Sequence, residues 1–277
     1  MSTITVTVGD ITLYGDAGHE FTLVSMSGFD DLPSAKTEQD SWARADGNAI
    51  PGTTYYDGRT ITINGYYATS TVEDTDVMMR RLRGMAGRLV PVTVRKGAGI
   101  ALSCDAELRS MTVDEYRYRG KAAFQIGLLA PSPYLYGPLR SQTVGVPTDG
   151  EGITDPLLDP LSEGEVGNPG RVAITGSGFA PTHLVVKIRG GLSEGVRIHC
   201  VETGEAVEFH RQINPDETMV FDFDDERVLF QNQSDLSMFL TEENWFRPSG
   251  DATIQFTPLG VQSGEPTMTV EWKEAWR

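Results

Sequence analysis

The residues of this chain whose types could do chemistry are four histidines, two cysteines and a scatter of acids. His19, His183, His199 and His210 have no second His or Cys at metal-ligand spacing, and no HExxH occurs. His199 and Cys200 are adjacent, so on a strand they point to opposite faces and do not readily share one metal. Cys104 and Cys200 stand one in each half of the chain. They read as free thiols, since disulfide frameworks belong to small oxidised domains. Gly97-Ala98-Gly99 lacks the third glycine and the following helix of a nucleotide loop, so a tight hairpin turn is expected there. Thr175-Gly176-Ser177-Gly178 is the nearest approach to GxSxG and reads as a turn before a strand.

Asp222, Asp224, Asp225 and Glu226 form the sharpest acidic cluster. Calcium takes carboxylate oxygens, but the spacing lacks the glycine and distal glutamate of an EF-hand. A solvated strand face running into a hairpin turn is the preferred reading, with Phe221 and Phe223 on the opposite face. No carboxylate pair stands out for glycoside hydrolysis. Asn232-Gln233-Ser234 spells a glycosylation sequon. Trp245, Trp272 and Trp276 suit either a sugar platform or, more commonly, core and edge packing. No catalytic, cofactor-binding or metal residue is therefore assigned, and no enzyme activity is expected.

The elements that would position any site are mostly strands. Thirty glycines and fifteen prolines among 277 residues exceed the usual share, which favours many short strands and turns over a helical bundle. Ile4, Val6, Val8, Ile11 and Leu13 alternate about a turn at Gly9-Asp10. Further strands are expected over 20–26, 59–67, 89–95, 100–104, 107–118 and 122–129, before Pro131-Ser132-Pro133 stops the sheet. One helix opens at the Ser70-Thr71-Val72-Glu73 capping box, packs Met78, Leu82 and Met85 inward, and ends at Gly87. Arg80, Arg81, Arg83 and Arg88 crowd its end, where the helix dipole explains them better than an anion site does. Residues 28–58 lack clear periodicity and carry Trp42, Tyr55 and Tyr56, the mark of a functional or partner-binding loop.

The division along the chain follows composition. Residues 1–140 carry 14 Lys/Arg and 16 Asp/Glu, a net charge of −2 out of −16, and form the first domain. Residues 141–170 are acidic and rich in Pro and Gly, as in a semi-extended linker. Residues 171–277 show about eight short strands and no helix, which suggests a β-sandwich of jelly-roll type. The acidic second half disfavours general nucleic-acid binding. No stretch of about 20 apolar residues occurs, so no membrane-spanning helix is expected. The first residues have neither a basic n-region nor an apolar h-region, so no secretory signal is expected.

Three stretches, in order, resemble the distal tail proteins of long non-contractile-tailed bacteriophages, also called phage minor tail proteins. The first is Tyr56-Asp-Gly-Arg59-Thr-Ile-Thr-Ile-Asn-Gly65, similar to the family's aromatic-x-x-Arg strand. The second runs from Phe124 through Pro131-Ser132-Pro133 to Gly137, with Ser132 where the family often has Asp. The third begins at Asn168-Pro169-Gly170 and includes Ile188-Arg189-Gly190, Met219 to Asp222 and Trp245 to Phe256.

The resemblance implies a tail-tube-like N-terminal domain of β-sheet or split-barrel type with one helix, and a galectin-like C-terminal sandwich. It implies a structural virion protein of the tail tip or baseplate, assembled in the host cytoplasm. Its ring, of six subunits, would join the tail tube protein to the hub or tail-associated protein, with no cofactor, no membrane contact and no sequence-specific nucleic acid. Ring closure needs heterologous contacts, and Trp42, Tyr55, Tyr56 and Arg59 are the expected subunit-interface residues. The alternative is a tail-tip protein that binds host cell-wall glycans through the sandwich.

Overall fold

A computed structural model describes residues 3–16, 18–36, 40–41, 46, 48–49, 54–69, 71–114, 121–148, 167–176 and 178–277, with backbone only for 40–41 and 48–49. Two units divide the chain: Met1–Pro138 with Arg277, and Leu139–Trp276.

The first unit consists of β1 (Ile4–Val8), β2 (Ile11–Tyr14), β3 (Phe21–Ser27), β4 (Asp40–Ser41), β5 (Asn48–Ala49), β6 (Arg59–Ala68), α1 (Val72–Arg83), β7 (Leu89–Lys96), β8 (Leu102–Val113), β9 (Lys121–Ala130) and β10 (Leu135–Tyr136). Strands β8-β7-β1-β2-β3-β6-β9 run in that order, and β9 pairs back onto β8. The result is a seven-stranded barrel, antiparallel except at β2–β3. Period-2 alternation fills it: β6 turns Ile61, Ile63 and Tyr67 inward, and β9 turns Ala122, Phe124, Ile126 and Leu128 inward. Gly65 lies among them, where a Cβ would come within 3.0 Å of the Phe124 ring and 2.9 Å of the Thr22 carbonyl oxygen. The glycine makes room for the aromatic.

Two expectations shift here. The strands expected at 100–104 and 107–118 are one strand, β8, with an irregularity between Leu108 and Ser110. Pairing with β7 runs through Asp105 to Glu107, where β9 takes over, so the strand is continuous. The helix cap is Thr71: its Oγ1 accepts the Asp74 amide at 3.2 Å and donates to the Asp74 carboxylate at 2.6 Å. The capping pair is therefore one residue later than the spacing suggested. The buried helix face is Thr75, Met79 and Leu82, with Met78 only partly buried, and Gly84 rather than Gly87 is the C-cap.

The second unit consists of β11 (Arg140–Gly145), β12 (Arg171–Ile174), β13 (Ala180–Arg189), β14 (Gly195–Cys200), β15 (Ala206–Phe209), β16 (Thr218–Asp222), β17 (Arg227–Phe230), β18 (Ser234–Asp235), β19 (Leu240–Glu243), β20 (Ala252–Leu259) and β21 (Thr267–Trp276). One antiparallel sheet runs β18-β17-β16-β13-β21-β11 and the other β12-β20-β14-β15-β19. Their inner faces share one apolar cluster, in which Phe209 meets Phe221 edge-on with ring centroids 5.8 Å apart. Residues 141–145, expected within the linker, are strand instead. They pair with β21 from Arg140↔Trp272 to Gly145↔Thr267, and residues 149–166 lie outside the described residues.

The turn joining β16 to β17 holds Glu226 at a φ of 53°, a left-handed conformation that strains a residue with a Cβ. Glu226→Gly should raise stability by about 0.5–1 kcal/mol in thermal unfolding, the strain relief exceeding the entropy lost by glycine. An unchanged or lower melting temperature would contradict this.

Candidate functional site

The acidic cluster is occupied by local partners. Asp222 Oδ1 accepts the amides of Asp224 and Asp225, each at 3.1 Å. Asp224 bonds His183 and lies 3.6 Å from Arg247, and Asp225 pairs with Arg227. The carboxylates thus serve the hairpin and its flanks, and no group of three metal-ligating side chains is found among the described residues. His199 faces away from the core while Cys200 is 1% exposed within it, as strand alternation requires. Burial and then the neighbouring Arg197 and Arg171 hold the His199 imidazole below its ordinary range. Trp272 is buried and Trp245 meets Phe223 edge-on at 5.1 Å, so these two tryptophans pack within the sandwich. Near the helix end, Arg80 pairs with Asp76, Arg81 with Asp10, and Arg88 donates to the Gly84 carbonyl at 2.7 Å. These three arginines each have a partner within the first unit.

The four expected interface residues fall into different places. Trp42 lies outside the described residues. Tyr55 is exposed and Tyr56 half-buried, at the foot of the long loop. There the Lys36 amide donates to the Tyr55 carbonyl and the Asp57 amide to the Ser34 carbonyl, both at 2.8 Å, so the loop leaves the barrel through a two-stranded base.

Arg59 must be corrected: it is 2% exposed, and its side chain serves its own chain. One guanidinium nitrogen donates to the carbonyls of Gly28 at 3.2 Å, Phe29 at 2.8 Å, and Asp31. The other donates to Pro133 at 2.9 Å. The planar fork ties the loop entry to the segment that follows β9. Burial lowers the Arg59 pKa, yet an arginine remains cationic at neutral pH. A lone arginine among apolar strand positions gave no sign that its partners would be four carbonyls from two distant segments. Gly28 sits at a φ of 84° with Thr60 pressed against it, which leaves no room for a Cβ.

Both cysteines are buried and unpaired with each other. Burial pushes the Cys104 thiol up to about 11. Because the folded value lies above the unfolded one of about 8.5, this group supports stability below about pH 8.5. That contribution is lost as pH rises toward 11, up to about 3 kcal/mol. Native protein should therefore resist a thiol reagent at pH 8, and urea midpoints should fall between pH 9 and 11. Rapid native labelling of Cys104, or no loss that Cys104→Ala abolishes, would oppose this.

With a barrel that carries one helix, followed by a sandwich, the chain has the fold of a phage distal tail protein. SPP1 Dit (gp 19.1), a paradigm of the hub adsorption apparatus in phages infecting Gram-positive bacteria, matches with a TM-score of 0.66 over 99% of both chains at 13% identity. Chains of the phage P2 baseplate in its activated conformation match over 98% of both chains. The calcium form gives a TM-score of 0.55 at 11% identity, and the strontium form 0.54 at 12%. No protein-family model matches the chain, and no curated protein matches it significantly.

Proposed function

We propose that this protein is a distal tail protein: a structural component of a phage tail tip that joins the tail tube to the baseplate hub. The observation that carries the reading is the end-to-end fold match to SPP1 Dit, which covers barrel and sandwich together at the same chain length. In this reading the barrel unit forms a closed ring of six copies, and the galectin-like sandwich faces outward. Copies of the chain, the tube protein above and the hub protein below are its partners, and the virion tail is its location. The work is architectural, so no bond is made or broken and no cofactor is needed. The near-neutral first half suits a channel that lets DNA pass without holding it, because a basic lining would bind phosphates.

Negative-stain microscopy of the purified protein tests this. Closed annuli of six lobes, and antibody labelling of the tail tip in purified virions, are expected. Particles that stay single at high concentration, together with absence from virions, would refute it.

A further inference from the structure

The acidic second unit keeps three basic side chains together on one sheet face. Residues 1–140 hold 14 of the 23 Lys/Arg and 16 of the 39 Asp/Glu, which leaves 9 and 23 for residues 141–277. On the sheet β12-β20-β14-β15-β19, Val172, Ile254 and Ile198 point into the core, so their neighbours in sequence point out. The register sets Arg171 opposite Gln255 and Gln255 opposite His199, one row across three strands. In the next row Thr257 stands opposite Arg197, and Arg197 opposite Glu208. Arg171 and Arg197 thus rise from the strands on either side of β20. Two strand spacings, about 10 Å, separate those strands, a gap that two long side chains can close.

Both guanidinium groups are held on one side and open on another. Arg171 Nε donates to Gln255 Oε1 at 3.1 Å, and its two terminal nitrogens have no partner among the described residues. Arg197 gives Nε and one terminal nitrogen to Glu242 Oε2, at 3.3 and 3.1 Å, with Glu208 3.4 Å away. Its second terminal nitrogen has no partner among the described residues. His199 senses the field between them. Burial first, then Arg197 and Arg171, lower its pKa, while the Gln255 hydrogen bond and Glu242 each act the other way more weakly. The two arginines therefore outrank the one carboxylate that reaches the ring, which sits in a positive field within an acidic unit. Nδ1 of that ring is buried and has no hydrogen-bond partner among the described residues, an orphan of a kind that folded proteins rarely keep.

We propose that Arg171, Arg197 and His199 form a site for a tetrahedral oxyanion, of the charge and shape of phosphate or sulfate, seated over Gln255 and Thr257. The open edge of each guanidinium matches the oxygens of such an ion, and the Thr257 hydroxyl and the Gln255 amide nitrogen add neutral donors. Arg197 stays oriented because Glu208 and Glu242 hold its other edge. The site lies within the second unit of one copy, so it stands or falls independently of the ring.

Proton NMR of the histidine rings in the full chain tests it, with sulfate as the probe because its charge is constant over the titration. At matched ionic strength, replacing chloride by sulfate should raise the His199 midpoint by about half a pH unit or more, since a bound dianion favours the imidazolium. His19, His183 and His210 should move little, and His199→Gln assigns the signal by its loss. Inorganic phosphate at neutral pH should shift the same resonance. Arg171→Gln alters an exposed side chain and should keep the fold. It should raise the His199 midpoint in chloride, by removing a nearby cation, yet weaken sulfate binding about tenfold. A His199 midpoint that sulfate leaves in place, four histidines that all move alike, or a sulfate response that Arg171→Gln retains in full would overturn the site. Each of these outcomes leaves the assembly reading untouched.

Discussion

Arg59→Met should lower stability by about 3–5 kcal/mol, the cost of removing one partner from a buried, charge-assisted network. The carbonyls of Gly28, Phe29, Asp31 and Pro133 lose their donor; the bond to Phe29 is buried and the other three part-buried, and a buried acceptor left bare costs about 1–3 kcal/mol. Methionine preserves apolar volume, so the loss reports the hydrogen bonds more than a cavity. Arg59→Lys sharpens the test. It keeps the charge, but a single ammonium cannot span carbonyls held by two separate guanidinium nitrogens, so most of the loss should remain. Urea unfolding of the three proteins measures this. A lysine variant as stable as wild type would mean that charge alone matters. The effect has a functional side, because the segment Arg59 holds is the entry to the long loop. A loosened entry should weaken assembly before the barrel itself unfolds.

The second large effect belongs to the sandwich. Phe221→Ala should cost about 3–5 kcal/mol, since Phe221 is fully buried on β16 against Phe209 of the opposite sheet. Phe221→Leu should recover much of this, because it keeps most of the buried volume. The buried thiols report each unit separately: Cys104 lies in the first apolar cluster and Cys200 in the second. In Phe221→Ala, Cys200 should become reactive at lower urea than Cys104, and in Arg59→Met the order should reverse. Equal exposure of both thiols in both variants would mean that the two cores melt as one.

Much of the fold could be read from local pattern. The alternation of Phe124, Ile126 and Leu128 marks β9, and the hairpin after Asp222 has the expected turn. Errors arose where the signal was weak or shared. Asp105 interrupts an apolar run, so β8 reads as two strands from sequence, whereas β7 pairs across Asp105 and makes it one. Arg140–Thr143 is exposed and polar and reads as linker, whereas pairing with β21 and the partly buried Val144 hold it as an edge strand. Thr71 and Ser70 are equally good caps on paper, and only the position of the Asp74 amide distinguishes Thr71. Histidines and acids scattered without ligand spacing gave no metal or catalytic assignment to carry forward. The interface reading was less legible, since aromatic content says that a residue suits a contact but not which way it faces.

The sequence by itself determined that this is a mainly β chain with one helix, built in two parts of unequal charge, because period-2 burial, capping and composition are local or additive properties. Only the tertiary structure decided that Arg59 is an internal tie, that seven strands of the first unit close into a barrel, and that β3 meets β2 at a single residue pair. Those facts depend on which distant strands share hydrogen bonds, and no local pattern in the chain encodes the partner of a backbone amide.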